Sequence, residues 1–443
     1  MPEPAWPGRA RAYYALFILT LALMVATIDR GVLSVLVEHI KHDLHVSDTQ
    51  FSVLTGFAFV FFYAFLGLPI ARLADRHSRR LIIGIGIAFW SVMTAMSGVA
   101  QSYQQLFWAR VAVGAGESSF APATYSVLTD SFPPAKLPMA MSLLSIGFVC
   151  GGGFALVAGG AALQAAAAIG PVTLPVVGAL RSWQLVFLLV GLPGLIIALL
   201  MATVAEPERR GLLPGTDGVR AAKVPIRVIA DFLAKEWQTF LPIFAAMGVK
   251  TLLSFGAIVW TPAFFVRTYG WSMSQSGYRL GLVSLIVSPF GLLIGAWLAE
   301  HYTRQGRDDA NLRVLQLATI AVVPTSILYP LMPSAGAALT LYGLNFFLAS
   351  VGIGPGNAAL QVVTPNQMRG QIRALFQLVF NLVGYAIGPL FVALFTDYVF
   401  HAESAIRYSL STAAAITGPI AVLITWWGMK PYARSVARAA TWA

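Results

Sequence analysis

The chain has 443 residues, of which 58% are hydrophobic and only 11% charged, and its mean hydropathy is +0.74. Soluble domains carry about 25% charged residues, and soluble chains of this length divide at polar linkers, so a soluble multidomain protein is excluded. The formal net charge of +11 fits a nucleic-acid binder only where the basic residues gather into one patch, and here they are spread along the chain.

Apolar blocks follow one another at about 12–37, 50–72, 81–101, 104–129, 138–163, 183–204, 237–266, 276–299, 311–331, 336–363, 370–396 and 404–429. Each is about long enough to cross a ~30 Å hydrocarbon core. The twelve blocks predict an all-α polytopic membrane protein. A membrane barrel has short alternating segments instead. The first block is not expected to be a cleaved signal peptide, because it is long and carries Asp29 and Arg30 in place of a small-residue cleavage site. The single cysteine, Cys150, rules out an intramolecular disulfide and reads as an inert small residue within a helix.

With the N-terminus placed in the cytoplasm, 21 of the 29 Lys and Arg residues fall on the termini and the even-numbered connections. Lys41, Arg181, Arg267, Arg279 and Arg407 lie on the other side, and Arg30, Arg110 and Lys250 lie within blocks. This is the positive-inside pattern, with both termini cytoplasmic, and it leaves no role for nucleic acid.

The longest polar stretch, residues 206–236, holds Pro207, Pro214 and Pro225 and divides the blocks six and six. Within it VPIRVIADFLAKEW (224–237) has apolar residues at 226, 229, 232 and 233, the pattern of a short amphipathic helix lying along the membrane surface. The expected organisation is an N-terminal six-helix bundle (1–205), a linker (206–236) and a C-terminal six-helix bundle (237–443). The halves repeat one another. ARLADRHSRR (71–80) aligns with AWLAEHYTRQ (296–305), and the glycines of GFVCGGG (147–153) align with those of GYAIGPL (384–390). Duplicated halves with a site near the bilayer midplane are a transporter architecture.

ARLADRHSRR also resembles the loop between helices 2 and 3 of the major facilitator superfamily. Asp75, Arg76, Arg79 and Arg80 match that motif, while Ala71 and Ser78 replace its glycines. The resemblance implies a charge relay that latches the outward-facing state. SWQLVFLLVGLPG (182–194) is similar to the sixth helix of the family, with Gln184 where arginine is common. DRGVLSVLVEHIKHDLHVSDTQFSVL (29–54), IAFWSVMTAMSGVA (87–100) and RVAVGAGESSFAPATYSVLTDSF (110–132) narrow the resemblance to the spinster branch, which exports sphingosine-1-phosphate and lysophospholipids in eukaryotes. The compact loops and short tails look like a bacterial member, in the inner membrane.

Asp29, Arg30, Arg110 and Glu117 are full charges inside apolar blocks, each costing about 2.5–3.5 kcal/mol on insertion scales. Arg110 and Glu117 share a helix face but are separated by roughly 10 Å of rise, so each needs a partner on another helix. Helices 1 and 4 both line the N-terminal cavity in the superfamily, and this makes Asp29–Arg110 and Arg30–Glu117 candidate pairs. One reading is a static lock on the bundle. The other is proton coupling, since a carboxylate that trades an arginine for a dry cavity changes its proton affinity. Glu117, flanked by Gly, Ala and Ser, is the expected proton site, with Asp29 holding the arginines. Gly114 and Gly116 thin the helix beside it. GFVCGGGFALVAGG (147–160) loosely resembles the helix-5 motif of antiporters, with Gly152 in place of proline, whereas Gly388-Pro389 keeps the Gly-Pro step.

The C-terminal half carries no acid at membrane depth. Lys250, Thr251, Ser254, Asn345, Gln377, Asn381 and Tyr385 are the candidate substrate-binding residues, with Lys250 suited to an anionic head group. A lysine satisfied by helix carbonyls is the alternative. His39, His42 and His45 lack a fourth ligand cluster, so no metal site is expected. There is no Gly-rich phosphate loop and no nucleophile–base pair at membrane depth, so neither an ATPase nor an intramembrane enzyme is expected. The expectation is a monomeric, cofactor-free secondary transporter. It is driven by a proton gradient and moves an amphiphilic anion such as a lysophospholipid or sphingosine-1-phosphate among membrane lipids. A multidrug or small organic anion carrier and a passive scramblase are the alternatives.

Overall fold

The computed structural model describes residues 6–133, 136–170, 172–175, 178–209, 225–365 and 367–439. The first half contains helices α1 (Arg9–Leu44), α2 (Asp48–Ser52), α3 (Ala58–Arg76), α4 (Arg79–Ser97), α5 (Tyr103–Glu117), α6 (Phe120–Ser131), α7 (Leu137–Ile169) and α8 (Ser182–Met201). A two-stranded antiparallel hairpin, β1 (Val172–Leu174) and β2 (Gly178–Leu180), joins α7 to α8. The short α9 (Ile226–Lys235) follows, then α10 (Trp237–Tyr269), α11 (Met273–Arg304), α12 (Ala310–Leu328), α13 (Ala335–Val351), α14 (Ile353–Val362), α15 (Arg369–Phe380), α16 (Gly388–Leu394) and α17 (Ile406–Ala439). π-helical stretches run through Val53–Phe57, Asn381–Ile387 and Phe395–Phe400.

Helix ends follow from local chemistry. Ser47 starts α2 with a capping box: its hydroxyl accepts from the Gln50 amide at 3.2 Å, and its own amide donates to Gln50 Oε1 at 2.9 Å. Ser78, Ser102 and Ser334 cap α4, α5 and α13 in the same hydroxyl-to-amide manner. Gly270, at φ 70°, closes α10 in the left-handed conformation that glycine adopts without strain.

Among the described residues, eleven helical segments are long and apolar enough to cross a membrane. The block at 104–129 is not one of them, because it is broken after Glu117. Ser119 donates to Gly116, three residues back, at 3.2 Å, and helix resumes only at Phe120. Pro122 supplies the reason: it has no N–H for the Ser118 carbonyl, and its ring crowds that oxygen. The block at 336–363 is also interrupted, at Gly352 between α13 and α14.

The chain forms two compact units. One comprises Met1–Lys223 with Ser272–Gly281, and the other Val224–Trp271 with Leu282–Ala443. In the first, α1 lies along α7 and α4 along α8. Glycines make the approach close: a Cβ at Gly147 falls 2.5 Å from the Thr20 carbonyl oxygen, and one at Gly151 falls 2.7 Å from Thr27 Cβ. In the second unit α10 packs on α16 and α17. Gly388 presses on the Leu252 carbonyl, where a Cβ would stand 2.6 Å away, and Gly384 meets Thr251. The repeated glycines of the two halves thus do one job twice, seating the fifth block of each half on its first.

In α9, Ile229 is buried in a cluster with Phe240, Ile243, Met247 and Tyr432, and Phe232 and Leu233 pack against it. The expected amphipathic face is formed by these three residues, while Ile226 is 82% exposed. Pro214 lies outside the described residues.

Candidate functional site

Both candidate pairs form. Arg110 Nη1 donates to Asp29 Oδ1 at 3.2 Å. Arg30 Nε donates to Glu117 Oε2 at 2.6 Å, and Arg30 Nη2 reaches the same oxygen. Adjacent residues on α1 project about 100° apart, and that divergence lets Asp29 and Arg30 meet partners two turns apart on α5. Asp29, Arg110 and Glu117 are each at most 2% exposed.

The two carboxylates differ in how they are satisfied. Each Asp29 oxygen has a donor, Arg110 on Oδ1 and the Thr94 hydroxyl on Oδ2 at 2.8 Å. Both Glu117 bonds fall on Oε2, and buried Oε1 has no hydrogen-bond partner among the described residues. The arginines differ too. The Arg110 side chain is 1% exposed, but that of Arg30 is 16% exposed. Its guanidinium stands 4.6 Å from the Phe59 ring centre and 5.5 Å from that of Tyr63. Arg30 therefore has a carboxylate and an aromatic wall within reach.

A second charged cluster closes one end of the first unit. Arg79 is fully buried and pairs with Asp130, with Glu206 Oε1 at 2.8 Å and with the Pro207 carbonyl at 2.6 Å. Glu206 also accepts from the Ser78 hydroxyl at 2.7 Å and the Arg80 amide at 2.8 Å. Partial desolvation opposes the Glu206 charge, but the bonds from Arg79, Arg80 and Ser78 outweigh it and hold the carboxyl below the usual carboxylate range. Arg80 reaches the Val204 carbonyl at 3.2 Å, Arg76 is exposed, and the Asp75 side chain lies outside the described residues. Asp130 and Glu206 escaped the sequence reading because each sits at a block end, where an acid needs no explanation. In the related loop of the second half no such cluster forms among the described residues: Arg304 bonds Glu300 one turn back, at 2.5 Å, and both are well exposed.

The candidate substrate residues divide into two groups. Lys250, adjacent to Thr251, turns toward α13 and donates to the Ala349 carbonyl at 3.0 Å, against Gly352. Ala349 also lines a cavity of about 20 Å³ with Ser254, Ser326, Tyr329 and Asn345, room for one water. Asn345 donates to Ser326 at 2.7 Å and Thr325 at 2.9 Å. The other group surrounds the π-helical stretch 381–387. Gln377 donates to Asn381 Oδ1 at 3.1 Å, the Tyr385 and Phe255 ring centres are 3.8 Å apart, and Thr251 leans on Gly384. The Thr251 hydroxyl is taken by the Met247 carbonyl at 2.5 Å. Lys250 pairs with no acid among the described residues, so its charge is met only by a neutral carbonyl.

Among the described residues, eleven helices long and apolar enough to cross a membrane, with charged side chains buried among them, make this a polytopic helical membrane protein. Residues 19–389 match the profile of the Major Facilitator Superfamily, and the chain belongs to that superfamily of transporters. It is 27% identical over 397 residues to an MFS-type efflux pump of Mycolicibacterium smegmatis, a match covering 88% of this chain and 86% of that protein. It is similar to protein spinster homolog 1 of Xenopus tropicalis, at 26% identity over 84% of this chain and 70% of that one. Its fold is that of a bacterial homologue of the human lysosomal transporter spinster crystallised inward-facing and unoccupied, with a TM-score of 0.76, 23% identity, and 98% of this chain and 99% of that chain covered.

Proposed function

We propose that this spinster-like transporter is a proton-coupled secondary carrier of a lipid-like or amphiphilic organic anion, working by alternating access in a bacterial inner membrane. The observation that carries the reading is Glu117: a buried carboxylate with one oxygen lacking a partner among the described residues and the other held by an arginine that also lies on an aromatic wall. Protonation at Oε1 breaks no hydrogen bond. It releases Arg30 toward Phe59 and Tyr63, so the protonated and ionised states each keep the guanidinium housed. In this reading Asp29 and Arg110, paired and better enclosed, hold the helices in place.

An anionic substrate is supported by Lys250, a buried cation that meets a carbonyl and no acid among the described residues. A drug cation would need an acid at membrane depth, and the sequence reading expects none in that half. Counting α5 and α6 as one interrupted crossing makes twelve spans. The positive-inside rule then puts both termini, and the Arg79–Glu206 cluster, on the cytoplasmic side. In this reading Asp75, Arg76, Arg79 and Arg80 form the latch of the outward-facing state, Asp130 and Glu206 hold Arg79 in place for it, and the carrier acts as a monomer.

The test is flux in proteoliposomes, comparing a lysophospholipid, sphingosine-1-phosphate and a small carboxylate, with and without a pH gradient. Gradient-dependent flux of the amphiphiles is expected. Flux confined to the small carboxylate moves the substrate to that class. Lipid movement indifferent to the gradient makes the protein a scramblase.

A further inference from the structure

Among the described buried threonines, Thr94 bonds a carboxylate, whereas Thr239, Thr261 and Thr396 share bonds with the hydroxyls of Ser435, Tyr329 and Ser409 on other elements. Thr27, Thr251, Thr319, Thr417 and Thr425 donate to the carbonyl four residues back in their own helix, at 2.5–2.8 Å. That is the default for a hydroxyl in an apolar helix, because the local acceptor is always at hand. Thr94 has the same option at Trp90 and does not take it. Its hydroxyl crosses from α4 to Asp29 Oδ2 on α1, at 2.8 Å, and the residue is 1% exposed.

The bond leaves one acid fully satisfied and the other half satisfied. Asp29 accepts a donor on each oxygen, while Glu117 Oε1 has none among the described residues. The charged groups around Asp29 are Arg30 beside it on α1 and Arg110 and Glu117 on α5; from α4 it meets the neutral Thr94, and α3 brings Phe59 and Tyr63 to Arg30. A hydroxyl that donates to a carboxylate favours its charged form. We infer that Thr94 is the positioning residue that decides which of the two buried acids takes the proton, keeping Asp29 ionised and directing the proton to Glu117. The inference rests on the proton-carrier reading above and adds a residue to it. Thr94 touches neither Glu117 nor any substrate group, and acts only through Asp29.

The test needs no substrate. The purified, lipid-reconstituted protein is titrated while the C=O stretch of buried protonated carboxyls is followed by infrared difference spectroscopy. The wild type is expected to show a titrating band that Glu117→Gln removes and that is thereby told apart from any of buried Asp48 and Asp130. Thr94→Val, which keeps the shape and loses the hydroxyl, is expected to add a second band that disappears when Asp29→Asn is combined with it. Thr94→Ala is expected to do the same without the extra methyl, and Thr94→Ser to restore the wild-type spectrum. A merely structural threonine gives no Asp29 band in any variant, and that result overturns the inference. A wild-type band insensitive to Glu117→Gln sinks the proton-carrier reading instead, and the two failures are read from different variants.

Discussion

Glu117→Gln separates a proton carrier from a static ion-pair lock. The carboxamide mimics the protonated acid and keeps an oxygen where Glu117 Oε2 accepts from Arg30 Nε at 2.6 Å. Hydrogen bonds to a charged group contribute about 1.5–3 kcal/mol and neutral ones about 0.5–1.5, so the exchange costs roughly 1–2 kcal/mol. The guanidinium retains Phe59 at 4.6 Å, an interaction of about 0.5–2 kcal/mol. Glu117→Ala leaves Arg30 with no acceptor in the pair, and breaking a buried ion pair costs about 3–5 kcal/mol. A carrier visits the neutral-acid state in every cycle and must tolerate it; a static lock has no such requirement. Thermal unfolding of the solubilised protein is therefore expected to rank wild type above Gln and Gln well above Ala. In vesicles the Gln variant is expected to lose gradient-driven transport while still binding and exchanging substrate. A Gln variant as unstable as Ala, or one with full gradient dependence, refutes the reasoning.

Arg79→Ala is expected to lose about 3–5 kcal/mol of stability, because it breaks the buried Arg79–Asp130 ion pair. Arg79→Lys is expected to rescue little, since one ammonium cannot replace the fork that reaches Asp130, Glu206 and Pro207 together; denaturation midpoints of the three proteins check both. Glu206 is held below the usual carboxylate range, so its contribution is fully present above the ordinary carboxyl value of about 4.3 and fades as pH falls through its lowered one. The stability difference between wild type and Glu206→Gln, followed against pH, is expected to shrink on acidification. Lys250→Ala is expected to weaken binding of an anionic amphiphile about tenfold or more, the loss of one charge-assisted contact of about 1.5–3 kcal/mol, and to leave a neutral analogue of equal chain length unaffected. Equal loss for both in a binding titration assigns Lys250 to the α13 carbonyl alone.

The charged quartet was legible because charges in apolar runs are conspicuous, and two helices carrying them at these spacings have few ways to pair. Their partners were not. Thr94 is one threonine among many whose hydroxyls turn back on their own helices, and Phe59 and Tyr63 are ordinary aromatics in an apolar block. The Ala349 carbonyl that holds Lys250 leaves no mark in any sequence. The break after Glu117 could be read only from Pro122, which a membrane helix also tolerates unbroken when neighbours satisfy the freed carbonyl. The two loop motifs look alike as strings, yet one is built into a buried cluster and the other pairs locally in solvent, because only the first has Asp130 and Glu206 opposite it.

Substrate-driven proton movement tests the account most directly. Proteoliposomes containing a pH-sensitive dye and no imposed gradient are given an outward lysophospholipid gradient. The account predicts a change in internal pH that follows substrate flux in the wild type and vanishes in Glu117→Gln. Substrate flux with no change in internal pH, or a pH change that survives Glu117→Gln, contradicts it.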